Sequence, residues 1–252
     1  MRFLGLIWRG IRDVFEQFVL MVSLSLGWWI CALPMVLAFL GLPFLLFILV
    51  APVLALVLAP ATVTLFSLAD PRRIVNRPDL SDAVSVFRSS IRRGWLIGLA
   101  TVPLLLVLVW NILYFGGTTS YLSAFVPLWL IMVVSIFILM LYMFSVAGTM
   151  ESGLRNAFRG AMYVLVSRPF TGLLLSVLIM IGGIVFAVLV LPMIALGPAL
   201  LAAVVNRFVL AGLGVEVVDP YAPTTERAVE RAHGIEHDPS FWQRLRGSRR
   251  RA

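Results

Sequence analysis

Three long stretches of the chain carry no charged residue: 17–69, 94–150 and 169–206. Each exceeds the roughly 20 residues that one membrane-crossing helix needs, and each is interrupted by turn-forming residues. Gly41-Leu42-Pro43 parts the first into spans near 18–40 and 43–68. Gly116-Gly117-Thr118-Thr119-Ser120 parts the second into spans near 95–115 and 121–147. The third stretch is too long for a single span even with tilt. Pro192 and Gly197-Pro198 predict a break between about 171–190 and 194–212. The pattern therefore predicts an all-α integral membrane fold of six transmembrane helices, arranged as three hairpins.

The charges fall in the blocks between, at 2–16, 70–93, 151–168 and 207–251. In the first block, Phe3, Leu4, Ile7, Ile11, Val14 and Phe15 recur at helical spacing against Arg9, Arg12, Asp13 and Glu16. That spacing predicts an amphipathic helix over 1–16, lying in the membrane interface. The apolar region that follows is too long for a secretory leader, so this segment reads as retained. Asp79 or Ser81 is placed to cap a helix carrying Val84, Phe87 and Ile91 on one face, with Arg88, Arg92 and Arg93 reaching toward headgroups. Leu154, Ala157, Phe158 and Ala161 make a similar face in the third block. The polar segment 214–252 forms a separate basic tail, in which Phe241, Trp242 and Leu245 stand beside five arginines.

Positive charge is distributed in a way that orients the chain. The four polar blocks hold three, six, three and eight arginines, which account for all 20 cationic residues, and the turns between paired spans hold none. With six spans and both termini cytoplasmic, every arginine lies inside, as the positive-inside rule requires. The chain is 61% hydrophobic and 13% charged with a net charge of +8. In this apolar context the basic segments are expected to meet anionic lipid headgroups rather than nucleic acid. The expected location is the bacterial inner (plasma) membrane, with multiple passes. Arg72, Arg73, Phe87, Arg88, Arg92, Arg93, Phe158, Arg159, Trp242, Arg249 and Arg250 are the candidates for contact with lipid or with another membrane protein.

Candidate chemistry is sparse. His233-Gly234-Ile235-Glu236-His237 fits the H-x-x-E-H pattern of inverted zinc peptidases. Gly234 weakens a helix there and Asp238-Pro239 ends it, so the segment reads as polar surface. No catalytic set, metal site or cofactor is expected, and the lone Cys31 permits no intramolecular disulfide. No ionisable side chain is expected inside the membrane, which argues against a proton-coupled carrier. Hydroxyls in the spans are expected to bond to their own helices or to join neighbouring ones. Thr62, Thr64 and Asn111 are the candidates for lining a cavity. Trp28 and Trp29 lie near mid-span, where they either pack helices together or stack on a ligand. Prolines 34, 52, 60 and 103 are expected to kink their spans.

Two internal similarities stand out. Phe15, Phe87 and Phe158 each precede a hairpin at near-equal spacing, and Ala59-Pro60-Ala61 is similar to Gly197-Pro198-Ala199. Either a repeated unit or chance accounts for them. The run Pro60-Ala61-Thr62 with Leu65-Phe66, the basic stretch 82–99, and residues 196–201 with Asn206-Arg207 resemble the YesL-like family of small bacterial membrane proteins over about residues 15–213. The resemblance implies an accessory membrane protein without established catalytic residues, associated with carbohydrate-uptake systems. Two functional expectations follow: a non-enzymatic accessory protein that binds another membrane assembly, or a carrier for a small neutral solute.

Overall fold

The computed structural model describes residues 3–73, 78–117, 121–215 and 217. The chain divides into two units, Met1–Val215 and Glu216–Ala252, and the described helices all belong to the first. They are α1 (Phe3–Glu16), α2 (Phe18–Gly41), α3 (Phe44–Leu68), α4 (Leu80–Gly116), α5 (Val126–Thr149), α6 (Leu154–Ser167), α7 (Pro169–Val188) and α8 (Val190–Gly212), with a 3-10 turn at Tyr121–Phe125 before α5. No strand occurs among the described residues. Five segments there are long and apolar enough to cross a membrane: Phe18–Gly41, Phe44–Leu68, Leu80–Gly116, Tyr121–Thr149 and Ile194–Gly212.

Two boundaries differ from the expectation. α7 and α8 part at Leu189, whose backbone (φ −111, ψ 60) leaves the helical region. Pro192 then falls in the first turn of α8, where a missing N–H costs no helical bond, and Pro198 sits inside the helix. The larger difference is α4, which fuses the amphipathic segment and the third span into one helix of 37 residues. Asp79 caps it, with its backbone N–H donating to the Asp82 carboxylate at 2.9 Å.

The C-terminal halves of α3, α5 and α8 pack on one another and form the core. Around them α2 lies against α3 and α8, α4 against α3 and α5, and α7 against α5 and α8. Each of the consecutive pairs α2–α3, α4–α5 and α7–α8 thus supplies one central and one peripheral helix, and each peripheral helix sits between two central ones. Related sequences end the central helices: Phe66-Ser67-Leu68-Ala69, Phe144-Ser145-Val146-Ala147 and Phe208-Val209-Leu210-Ala211. All three phenylalanines are buried, and Phe66 stacks on Phe144 with centroids 6.5 Å apart. Pairing by these phenylalanines shifts α8 against α3 by four residues, about one turn, relative to pairing Pro60 with Pro198.

Small residues bring α4 and α3 together. A Cβ added at Gly94 would lie 2.5 Å from the Pro60 nitrogen, and one at Gly98 would lie 2.8 Å from the Ala59 Cβ. A glycine pair four apart thus faces Ala55 and Ala59, the close backbone approach that replaces hydrophobic driving force between helices in lipid. Proline geometry also finds a partner here. Pro60 has no N–H for the Leu56 carbonyl, and the Trp95 indole donates to that oxygen instead at 2.6 Å.

Candidate functional site

Three places bear on function: the end where the central helices terminate, the N-terminal arm of α4, and a cavity between the helices. At the first, the last carbonyls of a helix have no partner within it. Side chains of neighbouring helices and of the turn after α3 meet that need. Asn206 Nδ2 donates to the Phe66 carbonyl at 2.7 Å, and Ser145 Oγ donates to Asn206 Oδ1 at 2.7 Å, so one buried carboxamide joins α3, α5 and α8. Arg72 Nη2 donates to the Thr149 carbonyl at 2.6 Å while its guanidinium also grips the buried Asp70 carboxylate. Arg73 pairs with Glu151 at 2.8 Å, and Arg93 reaches the Ala147 carbonyl at 3.5 Å. A cation on helix-terminal carbonyls is also favoured by the helix dipole. Arg72, Arg73 and Arg93, expected to face lipid or a partner, therefore make bonds within the protein.

Beside this cluster Arg207 Nε and Nη2 meet the two Asp13 oxygens at 2.7 and 2.8 Å. Both residues are 4% exposed. Two ionisable groups thus lie buried within the helical unit, and they survive there because each charge faces its opposite in a two-pronged pair. The amphipathic helix α1 also packs against α8. Leu6, Gly10, Asp13 and Val14 form its buried stripe against α8, so Asp13 belongs to the apolar side of the helix. The signal was present in the sequence: Leu6, Gly10, Asp13 and Val14 fall on one helical face, where a charge demands a partner. Leu4, Trp8 and Phe15 remain exposed on the other side.

Residues 80–89 of α4 include none that is buried. Leu80 and Val84 are more than half exposed, Phe87 is half-buried, and Arg88 and Arg92 are exposed. On α6, Ala157, Ala161 and Val164 are buried, leaving Phe158 and Arg159 exposed.

The cavity has a volume of about 710 Å³ and is walled by α1, α2, α3, α5, α7 and α8, with Val102 of α4. Its lining is almost wholly apolar. Thr62 lines it, but its hydroxyl accepts from Trp28 Nε1 at 2.9 Å and donates to the Leu58 carbonyl at 2.8 Å. Thr64 is buried away from the wall and donates to the Pro60 carbonyl, and half-buried Asn111 also lies off the wall. Trp28 and Trp29 line the cavity and meet edge to face, with centroids 5.3 Å apart.

Trp242, Arg249, Arg250 and the stretch His233–His237 lie outside the described residues. Among the described residues no group of three or more His, Cys, Asp or Glu side chains is placed to hold a metal. No family model, curated protein or solved structure matches the chain.

Proposed function

We propose that the protein is a six-span accessory protein of the bacterial plasma membrane, without catalytic activity of its own, that binds another membrane assembly through the α4 arm. In this reading α7, with its apolar sequence, is the sixth span, and both termini are cytoplasmic because every arginine then lies inside. The observation that carries the reading is the length of α4. Its 37 residues extend about 56 Å, against a hydrocarbon thickness of about 30 Å. Counting the span from Trp95, the preceding 15 helical residues reach about 22 Å beyond it. Lying flat among headgroups would require a break in the helix, and α4 runs unbroken from Leu80 through Trp95.

An exposed Leu80-Val84 edge with Arg88 and Arg92 suits a protein partner that offers an apolar groove beside acidic side chains. Phe158 and Arg159 of α6 add the same chemistry. The resemblance to YesL-like proteins supports an accessory role and suggests a carbohydrate-uptake system as the assembly. The carrier reading draws less support, since the cavity offers a neutral polar solute little beyond a hydroxyl that already has two partners.

Photocrosslinking in living cells tests the proposal. Benzoylphenylalanine at Val84 is expected to capture a membrane protein, and the adduct is expected to disappear with Arg88→Glu and Arg92→Glu. The same probe at Leu40 serves as the lipid-facing control. Lipid adducts alone at both positions contradict the proposal.

A further inference from the structure

We propose that the cavity between the helices is a binding site for one long hydrocarbon chain, drawn from a membrane lipid or from a free long-chain acid. The proposal is independent of the accessory role and of the α4 arm. Protein interiors normally pack with few voids larger than a water molecule. A space of about 710 Å³ lies instead in the range of ligand pockets. Left empty, its wall would forgo dispersion contacts on one side, and an apolar space of this kind takes up apolar guests rather than water.

The wall selects against polar ligands. Its hydroxyl at Thr62 is held by the Trp28 indole on one side and the Leu58 carbonyl on the other. A sugar or peptide entering would leave its own polar groups without partners, at a cost of several kcal/mol in an apolar medium. A flexible alkyl chain has no such groups.

One side of the cavity is fixed. Ile7 and Ile11 of α1 line it, and α1 is fastened to α8 by the Asp13–Arg207 pair. A Cβ on Gly10 would come within 3.1 Å of the Val204 backbone, so α1 seats closely against the central helix. The α7 wall is different in kind. Gly182 lines the cavity and a Cβ added there meets no atom within 4 Å, while Val185 also lines the cavity and remains partly exposed. That side offers a chain both room and a route from the bilayer.

The experiment places the full-length protein in nanodiscs of phosphatidylglycerol and phosphatidylethanolamine. One arm includes a phosphatidylcholine with a diazirine in its acyl chain; the other adds free diazirine-labelled palmitic acid. After illumination, adducts are mapped by mass spectrometry. Labelling of Met140, Phe144 and Leu178 is expected in at least one arm, and the arm identifies the source of the chain. Gly182→Phe and Val185→Phe, each filling the cavity from the α7 side, are expected to lower that labelling about tenfold. Circular dichroism and monodispersity show which variant retains the fold, and either one suffices. Adducts confined to outward residues such as Leu49 and Val53 in both arms overturn the proposal, as does undiminished cavity labelling in a folded, filled variant.

Discussion

Where α3, α5 and α8 end, buried residues crowd together and helix-terminal carbonyls receive hydrogen bonds from side chains of another helix or of the turn after α3. Where α2 ends and α3 begins, Leu40, Leu45 and Leu49 are exposed, and the contacts are aromatic: Phe39 on Phe47, Phe44 on Trp110, and Phe115 on Trp129. Both regions are built on buried or stacked apolar side chains. They differ in whether specific polar groups tie one helix to the next. Dispersion and aromatic stacking hold neighbours without fixing their register strongly, whereas the Asn206 carboxamide and the Asp13–Arg207 pair each accept one geometry. The polar end defines the bundle, and the aromatic end closes around it.

Substitutions can break the contrast, and the largest effect is expected at the buried ion pair. Arg207→Met removes the two-pronged partner of the buried Asp13 carboxylate and is expected to cost about 3–5 kcal/mol, read by reversible unfolding in mixed micelles. Adding Asp13→Leu to that variant should recover most of the loss, because a well-packed apolar pair replaces a buried ion pair at little cost. Next is Gly94→Leu, which forces a side chain into the Pro60 backbone and should cost about 3 kcal/mol by the same measurement, with loss of α3–α4 crosslinking. Asn206→Leu removes two buried bonds and should cost about 1–2 kcal/mol.

At the aromatic end the expected losses are smaller. Phe44→Leu keeps the apolar character but removes stacking on Trp110, for about 1 kcal/mol. Smallest is Ser135→Ala, whose hydroxyl bonds to the Ile131 carbonyl of its own helix, with a change within about 0.5 kcal/mol. An Asn206→Leu loss no greater than that of Ser135→Ala would erase the distinction between the two kinds of hydroxyl and amide bond.

Helix positions were legible in the sequence because charge-free stretches and turn residues report membrane spans directly. The pairing of Asp13 with Arg207 was not, since the residues stand 194 apart and no local rule links them. Residue type groups Asp13 with Arg9, Arg12 and Glu16, although it shares a face with Leu6, Gly10 and Val14. Local capping was readable at Asp79, but continuity of α4 through Gly94 was not. Glycine usually marks a weak point in a helix, and only the closeness of Pro60 shows why it is needed there. For the cavity, composition picked out hydroxyls and an amide as candidate lining. Geometry retains Thr62 on the wall and places Thr64 and Asn111 elsewhere, because the face a side chain presents depends on which neighbours surround its helix.

The two-ended construction is tested most directly by amide hydrogen exchange in nanodiscs, resolved along the central helices. Segments beginning at Ala59 in α3, Ile138 in α5 and Ala199 in α8 are expected to exchange at least about tenfold more slowly than the N-terminal halves of the same helices. Equal protection along each helix, or slower exchange in the N-terminal halves, would contradict the account.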